Sequence, residues 1–348
     1  MGVLLVSAQR SGTGKTSLIS ALLTQMAANG QRVAYYKPFS ASPGNDADVS
    51  FITETILAGP GGPPVPDSLP LPQVSSGNPL ITESQAQSIR QSLSEIQSAA
   101  DVILIEAPDS LSPTGDAWSL PSDLADLLES STLLMFPYST ELDSQTVLNA
   151  AEPYSNRLAG IVVNGMTSYR KRDVENGLLS QLRSAGKTVL GAVPEDRIMI
   201  SVTVQQIADQ LGGRWVQDPV NTDACIDRLL LGGNIMDSGE TYYGRYANQA
   251  VIVRAERPDI QMASLMEDTK CLVLTGGSDP TEYVKAEAME RDVPLISVTE
   301  GTMSIVESLS GLLDRATPYS QNKVDRFGEL INQNLDMATL SAFLTTAH

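Results

Sequence analysis

One stretch near the start of the chain constrains its fold more than any other: residues 3–16, with the sequence VLLVSAQRSGTGKT. The apolar run at residues 3–6 predicts a buried parallel strand, and a helical pattern follows from Ser17 to about residue 28. A glycine-rich turn between a strand and a helix is the setting of a phosphate-binding loop, or P-loop. Its backbone N–H groups surround phosphate oxygens, and the start of the helix adds partial positive charge. The stretch therefore predicts a nucleotide site.

The residues within this loop have separate predicted roles. Lys15 would reach the β- and γ-phosphates of a nucleotide, and the Thr16 hydroxyl would bind Mg²⁺. We expect contacts to the nucleotide from a continuous run: Ser11, Gly12, Thr13, Gly14, Lys15, Thr16 and Ser17. The pattern has one departure, because Gln9 stands where a P-loop normally has its first glycine. A glycine-rich turn without a ligand is the alternative interpretation.

Arg10 is a second cation of the loop. It lies five residues before Lys15, where the deviant P-loops of dimeric ATPases carry a lysine. A cation at this position could contact phosphate within its own subunit or across a dimer interface. We count Arg10 with Lys15 and Lys37 as the candidate catalytic residues. The alternative for Arg10 is an ordinary solvated charge.

The predicted metal ligands are carboxylates that follow apolar strands. Asp46 and Asp48 lie in a polar loop after the strand at residues 31–36, and either could bind Mg²⁺ or cap the next helix. Glu106 ends the apolar strand at residues 101–106, as the carboxylate of a Walker B strand does, although it could also be a structural acid. We expect the metal ligands to be Thr16, Asp48 and Glu106.

Two further candidates stand at the carboxyl ends of predicted strands, where open α/β sheets bind their ligands. Lys37 follows the strand at residues 31–36, and its alternative role is that of an exposed lysine. Asn164 ends the strand at residues 158–164. A side-chain amide both donates and accepts hydrogen bonds, so Asn164 could pair with adenine.

Composition excludes several classes of function. The net charge is −18, which argues against nucleic acid or an anionic membrane as a partner. The single histidine is His348, and Cys225 and Cys271 form no CxxC pair. Histidine-based and zinc chemistry are therefore not expected, and lysines, carboxylates, hydroxyls and a bound cation must carry any reaction. No apolar run reaches the roughly 18 residues of a membrane span, and no signal peptide is visible, so we expect a cytoplasmic protein.

The order of the remaining elements predicts the fold class. Apolar strands alternate with helices, which indicates an α/β, P-loop NTPase-type fold with a mostly parallel sheet and helices on both faces. We predict a nucleotide-binding domain at residues 1–215, a smaller α/β domain at 223–315 and a helical tail at 316–348. The Pro/Gly-rich residues 58–80 predict an irregular surface loop.

The first domain resembles the dethiobiotin synthetase-like P-loop ATPases, in the form found at the N-terminus of long bacterial phosphate acetyltransferases. The resemblance rests on Gly12 to Thr16, Tyr36-Lys37-Pro38, Asp48, Ile105-Glu106-Ala107, Val162-Val163-Asn164 and Gly191 to Asp196. It implies that Lys15 and Lys37 act on phosphate and on a carbamate intermediate. It also implies Mg²⁺ ligands at Thr16, Asp48 and Glu106, and nucleotide contacts at Asn164, Pro194 and Glu195.

Residues 223–315 resemble the DRTGG domain that follows this ATPase in those acetyltransferases. The resemblance rests on Gly232-Gly233-Asn234, Arg257 to Gln261 and Leu274 to Gly277. The name-giving motif is altered, because residues 255–260 read AERPDI in place of a Gly-Asp-Arg-Thr-Asp-Ile type of run. The resemblance stops before any acetyl-transfer domain, so we do not expect a phosphate acetyltransferase.

Three functions are consistent with these patterns. The first is a homodimeric regulatory or sensor protein that binds Mg·ATP and hydrolyses it, and whose second domain binds a small metabolite or mediates dimerisation. The second is an ATP-dependent ligase of the dethiobiotin synthetase type, in which Lys37 stabilises a phosphorylated intermediate. The third is a non-hydrolysing module in which the nucleotide locks a dimer. Substrate-dependent phosphate release separates the first two, and the third predicts binding with negligible turnover and loss of the dimer on Lys15→Ala.

Overall fold

The computed structural model describes residues 2–59, 62–72, 81–109, 119–233, 239–265 and 268–345. Contacts divide the chain into two compact units. The first unit consists of Met1–Glu195 together with Val324–His348, and the second of Asp196–Lys323. The second unit is therefore an insertion, after which the chain returns to the first unit.

The first unit is built on a six-stranded sheet in which all neighbouring strands are parallel. Its strands carry nearly continuous apolar runs, as expected for strands that are covered on both faces. The strands of this unit are β1 (Gly2–Ala8), β2 (Val33–Tyr36), β3 (Phe39–Ser40), β4 (Leu69–Pro70), β5 (Val102–Glu106), β6 (Ser131–Pro137), β7 (Leu158–Met166) and β8 (Val189–Pro194). The sheet has the order β2-β5-β1-β6-β7-β8, and β3 and β4 form a separate pair.

Some helices of this unit begin at side-chain caps that the sequence encodes locally. The helices of the unit are α1 (Lys15–Ala28), α2 (Ala47–Phe51), α3 (Glu83–Gln97), α4 (Leu120–Leu127), α5 (Ser144–Ala151), α6 (Lys171–Val174) and α7 (Ser180–Ser184). The Asp46 side chain accepts hydrogen bonds from the N–H groups of Asp48 and Val49, which confirms its predicted cap role. Thr82 and Gln85 form a capping box at α3.

The predicted fold class is confirmed, with small differences at the ends of elements. The second strand begins at Val33, two residues later than predicted. Helices α6 and α7 are joined by a π-helical turn, Glu175–Leu179. The predicted loop at residues 58–80 lies partly outside the described residues, and its described part includes β4.

The second unit is a smaller α/β structure. Its strands are β9 (Val202–Thr203), β10 (Arg214–Trp215), β11 (Cys225–Ile226), β12 (Arg228–Gly232), β13 (Gln249–Arg254), β14 (Thr269–Thr275) and β15 (Leu295–Ser297). Its helices are α8 (Val204–Leu211), α9 (Gly239–Tyr243), α10 (Pro258–Leu265), α11 (Glu282–Glu290) and α12 (Thr302–Leu309). The main sheet has the order β10-β15-β14-β13-β12 and is parallel except for β10. Ile207 and Ile305 belong to one apolar cluster and Ile260 and Val284 to another, so this sheet too has helices on both faces.

The division into units differs from the predicted boundaries at residues 215 and 223. Residues 196–215 belong to the second unit, because β9 pairs with β11 and β10 extends the main sheet beside β15. These pairings are non-local, so the polar stretch after α8 gave no sign of them. The predicted tail at residues 316–348 is divided between the two units.

The C-terminal segment forms two helices, α13 (Gln321–Asn334) and α14 (Met337–Thr345), where one was predicted. Between them, Leu335 pairs with Gly191, and the Asp336 N–H donates to the Leu190 carbonyl at 2.8 Å. The segment contributes buried apolar side chains to the first unit: Phe327, Ile331, Leu340 and Leu344. Across the described ranges, no helix is both long and apolar enough to cross a membrane.

A buried lysine joins the two ends of the second unit. Lys323 is 1% exposed, and its Nζ donates to the carbonyl oxygens of Ser201 and Thr317 at 2.6 Å and of Met199 at 3.3 Å. Burial lowers the pKa of Lys323 to about 8. The folded state therefore releases this proton at a lower pH than the unfolded chain does.

The Lys323→Met variant is expected to change how stability depends on pH. Between about pH 8 and pH 10 the unfolded chain binds more protons at Lys323 than the folded chain does, so this residue makes wild-type stability rise with pH. The contribution is about 1 kcal/mol per pH unit in that window, and the variant lacks it. Urea unfolding of both proteins at pH 7, 8 and 9 measures the difference. If the difference in unfolding free energy between the two proteins stayed constant with pH, folding would not lower the pKa of Lys323.

Candidate functional site

The P-loop has the backbone conformation that its glycines allow. The loop after β1 ends where α1 begins at Lys15, and Gly12 and Gly14 have φ angles of 74° and 99°. L-residues rarely adopt such angles. A Cβ atom at Gly14 would also lie 2.6 Å from the Asn164 amide nitrogen. The backbone conformation therefore favours glycine at position 14, and a side chain there would also displace the Asn164 amide.

Asn164 holds the P-loop from the end of β7. Its Nδ2 donates to the Thr13 carbonyl at 2.8 Å, across 151 residues of sequence. The Thr13 hydroxyl in turn donates to the Arg10 carbonyl at 2.6 Å. Asn164 thus supports the loop directly, a contact that the sequence did not predict. Its role in binding adenine stays a prediction.

The three predicted metal ligands lie together at the start of α1. The Thr16 hydroxyl oxygen is 2.9 Å from Asp48 Oδ1 and 3.2 Å from Glu106 Oε1. Glu106 ends β5 and is only 3% exposed. The sheet order explains the arrangement, because β5 neighbours β1, and the P-loop follows β1.

The atoms in this cluster suit a hard cation. They are hydroxyl and carboxylate oxygens, and Mg²⁺ sites commonly use one or two carboxylates, with phosphates and water completing the shell. The residues present therefore fit an ion whose remaining ligands come from phosphate and water. Within the described ranges, no group of three or more His, Cys, Asp and Glu side chains could hold a metal ion.

Lys37 is bound by carboxylates on two sides. Its Nζ donates to Asp46 Oδ1 at 3.0 Å and to Asp48 Oδ2 at 2.5 Å. Burial lowers the pKa of Lys37, but the charges of Glu106 and Asp48 outweigh it and hold the pKa above its ordinary value. Lys37 is therefore a cation, and it orients the carboxylate of a predicted metal ligand.

Tyr35 contacts the other side of this cluster. Its hydroxyl donates to Glu106 Oε2 at 2.9 Å, and its side chain is fully buried. Burial, followed by the charge of Asp48, raises the pKa of Glu106. Tyr35 was not among the predicted site residues. Strand alternation was the available signal, because Tyr35 stands two residues before Lys37 and shares its side of the strand.

Lys15 forms an ion pair with Asp109, which lies in the loop after β5. The two side chains are 10% and 24% exposed, so water screens the pair only in part. The two residues are 94 apart in the sequence, so no local pattern predicts this pair. A phosphate group at Lys15 would have to compete with this carboxylate.

The other predicted site residues have simpler surroundings. Arg10 and Ser11 are exposed, and Ser17 is buried on α1. Among the described residues, the Arg10 side chain has no ion-pair partner. Pro194 ends β8, and the Glu195 N–H donates to the Met166 carbonyl at 2.8 Å. The structure does not bring Arg10 into the carboxylate cluster.

This fold and site define a P-loop NTPase-type domain followed by a smaller α/β domain. A family model described as an AAA domain, AAA_26, matches residues 3–202, which is more than half of the chain. The protein therefore belongs to the AAA_26 family. The DRTGG domain model matches residues 206–312. The predicted combination of a dethiobiotin synthetase-like P-loop domain and a DRTGG domain is confirmed, and no acetyltransferase domain is detected.

Several solved structures share low similarity with the chain. The MinD cell division protein of Aquifex aeolicus is 16% identical with a TM-score of 0.38, and the match covers 57% of this chain and 84% of MinD. A nucleotide-binding protein from Archaeoglobus fulgidus in complex with ADP is 16% identical with a TM-score of 0.36, over 56% of this chain and 82% of the other. The CBS and DRTGG domains of Clostridium perfringens pyrophosphatase, complexed with the activator diadenosine tetraphosphate, are 15% identical with a TM-score of 0.27, over 50% and 71%. Scores this low carry no conclusion about the ligands of this chain.

Proposed function

We propose that this protein binds ATP with Mg²⁺ in its first unit, hydrolyses it, and uses the nucleotide state to regulate another process. Membership of the P-loop family supports a nucleotide ligand. The observation that carries the proposal is the position of the Thr16 hydroxyl, which lies between the carboxylates of Asp48 and Glu106 directly after Lys15.

Different residues of the chain would bind the phosphates, the metal ion and the rest of the nucleotide. Lys15 would leave Asp109 to bind the terminal phosphates, which are more highly charged than a carboxylate. Thr16, Asp48 and Glu106 would hold the metal ion, which neutralises phosphate charge when bound. Lys37 would keep Asp48 oriented through its ion pair. Backbone contacts from Ser11 to Ser17, and contacts from Asn164, Pro194 and Glu195, would hold the rest of the nucleotide.

The regulatory part of the proposal concerns the second unit. A DRTGG domain joined to a P-loop domain suits a protein in which one domain responds to an effector and the other to a nucleotide. We propose a small metabolite as the effector, and a cytoplasmic homodimer as the working form. Exposed Arg10 is available to contact phosphate, either within its own subunit or across the dimer.

The ligase alternative is not favoured by the surroundings of Lys37. In that reaction Lys37 would have to face the activated intermediate, whereas here it bonds to both Asp46 and Asp48. In the alternative of a nucleotide-locked module, ATP would bind at the same site but would not be hydrolysed.

Calorimetric titration of the protein with ATP, ADP and GTP, with and without Mg²⁺, tests the proposal. We expect ATP to bind at micromolar concentrations in a Mg²⁺-dependent manner and to release phosphate slowly. An absence of binding would contradict the proposal entirely. Binding without phosphate release would support the nucleotide-locked module. Release that requires an added carboxylate or amine would support the ligase.

A further inference from the structure

The two oxygens of the Glu106 carboxylate have different partners. Oε1 lies 3.2 Å from the Thr16 hydroxyl, on the side of the P-loop. Oε2 accepts a hydrogen bond of 2.9 Å from the Tyr35 hydroxyl. Tyr35 and Glu106 are 0% and 3% exposed, so water has little access to compete for Oε2.

Tyr35 is well suited to keep this hydrogen bond. It lies on β2, which pairs in parallel with β5, the strand that ends at Glu106. A phenol hydroxyl can donate a hydrogen bond, and an ionised carboxylate can only accept one, so Tyr35 is the donor in this contact.

With Oε2 hydrogen-bonded to Tyr35, Oε1 is the carboxylate oxygen that faces a cation beside Thr16. Ca²⁺ takes six to eight oxygens and often binds both oxygens of one carboxylate, whereas Mg²⁺ requires a near-octahedral shell and uses carboxylates through one oxygen. A ligand restricted to Oε1 suits the second geometry. Groups that orient a metal ligand by hydrogen bonding are known to set affinity as strongly as some ligands do.

We propose that Tyr35 is a positioning residue that makes Glu106 a one-oxygen ligand and so favours Mg²⁺ over Ca²⁺ at the nucleotide site. This inference rests on the proposed function, because it assumes a metal ion bound together with the nucleotide. It concerns which ion is accepted, and not whether ATP is hydrolysed.

The Tyr35→Phe variant tests the proposal, with ATP affinity in Mg²⁺, in Ca²⁺ and without metal measured by calorimetry. Phenylalanine keeps the ring and removes the hydroxyl alone. We expect the Mg²⁺-dependent gain in affinity to fall by about tenfold and the gain from Ca²⁺ to change by less than about twofold. Affinity without metal should be unchanged, since the hydrogen bond of the Tyr35 hydroxyl goes to Glu106 and not to a P-loop residue. The readout is the increase in ATP affinity with Mg²⁺ divided by the increase with Ca²⁺. This ratio does not depend on ATP turnover.

Tyr36→Phe is the matched control. Tyr36 is the next residue on β2, is 1% exposed, and has its hydroxyl near Ser92 and not Glu106. This variant should keep the wild-type ratio, and thermal unfolding of both variants checks that each is folded.

The outcomes separate the inference from the function on which it rests. If the ATP affinity of the wild-type protein does not depend on divalent ions, the proposed function is contradicted. A wild type that binds ATP equally well with Mg²⁺ and Ca²⁺ overturns the inference without any variant, even if Tyr35→Phe fails to fold. A wild type that prefers Mg²⁺, with a Tyr35→Phe ratio within about twofold of it, also overturns the inference.

Discussion

Replacing Lys15 with alanine is expected to weaken ATP binding by about 100-fold, because charge-assisted hydrogen bonds to phosphate are lost. Lys15 is the first residue of α1 and its side chain is 10% exposed, so little water would replace it. The substitution also leaves Asp109 without the cation that neutralises it, next to the expected phosphates. Calorimetry with Mg·ATP measures the effect, and phosphate release should disappear with it.

Lys187→Ala is the control for lost charge. Lys187 lies just before β8, at the amino end of the parallel sheet and so at the edge opposite to the P-loop. Its replacement should leave ATP affinity within about twofold of wild type.

The Asp109→Asn substitution is expected to change ATP affinity in the opposite direction. It removes the carboxylate that competes for Lys15 and should tighten ATP binding by about tenfold. If Asp109→Asn weakened binding instead, Asp109 would be part of the nucleotide site and not a competitor for its lysine.

Replacing Gly191 with valine is expected to destabilise the first unit by about 4 kcal/mol or more, from backbone strain and overpacking together. Gly191 has a φ of 147°, and a Cβ atom there would lie 2.2 Å from the Asn334 carbonyl oxygen. That oxygen belongs to the backbone, so relief requires the segment between α13 and α14 to move away. The buried side chains of both helices would then lose their contacts with the sheet.

Urea unfolding measures this loss, and limited proteolysis identifies its location. Cleavage should occur first between residues 324 and 345, where α13 and α14 leave the sheet. Gly186→Val is the matched control, since Gly186 has a φ of 76° with nothing within 4 Å of a Cβ atom. It should cost only the strain of its backbone, about 1–2 kcal/mol. Equal losses in the two variants would contradict the proposed clash.

Most residues of the candidate site could be proposed from the sequence because its parts are local. The P-loop is a strand, a turn and a helix within residues 2–28, and Gly14, Lys15 and Thr16 are adjacent in sequence. Glu106 could be found because an apolar strand ends there. A strand buried on both faces is nearly all apolar, so the first acid after it marks the edge of the sheet.

The partners of these residues could not be predicted in the same way. Asn164 and Thr13 are 151 residues apart, Lys15 and Asp109 are 94 apart, and Tyr35 and Glu106 are 71 apart. Each contact depends on strand order: β5 lies between β2 and β1, and β6 lies between β1 and β7, so the sheet brings together elements that the chain separates. No periodicity within a single segment encodes that order.

The sequence by itself determined the class of fold, the P-loop and the residues that could hold a metal ion, since each depends on neighbours along the chain. Only the tertiary structure decided that the second unit is an insertion and that the chain ends in the first unit. The return of α13 and α14 depends on the missing side chain at Gly191, where two backbone segments approach closely. A glycine in a strand is consistent with many structures, and its reason becomes visible only when the partner segment is in place.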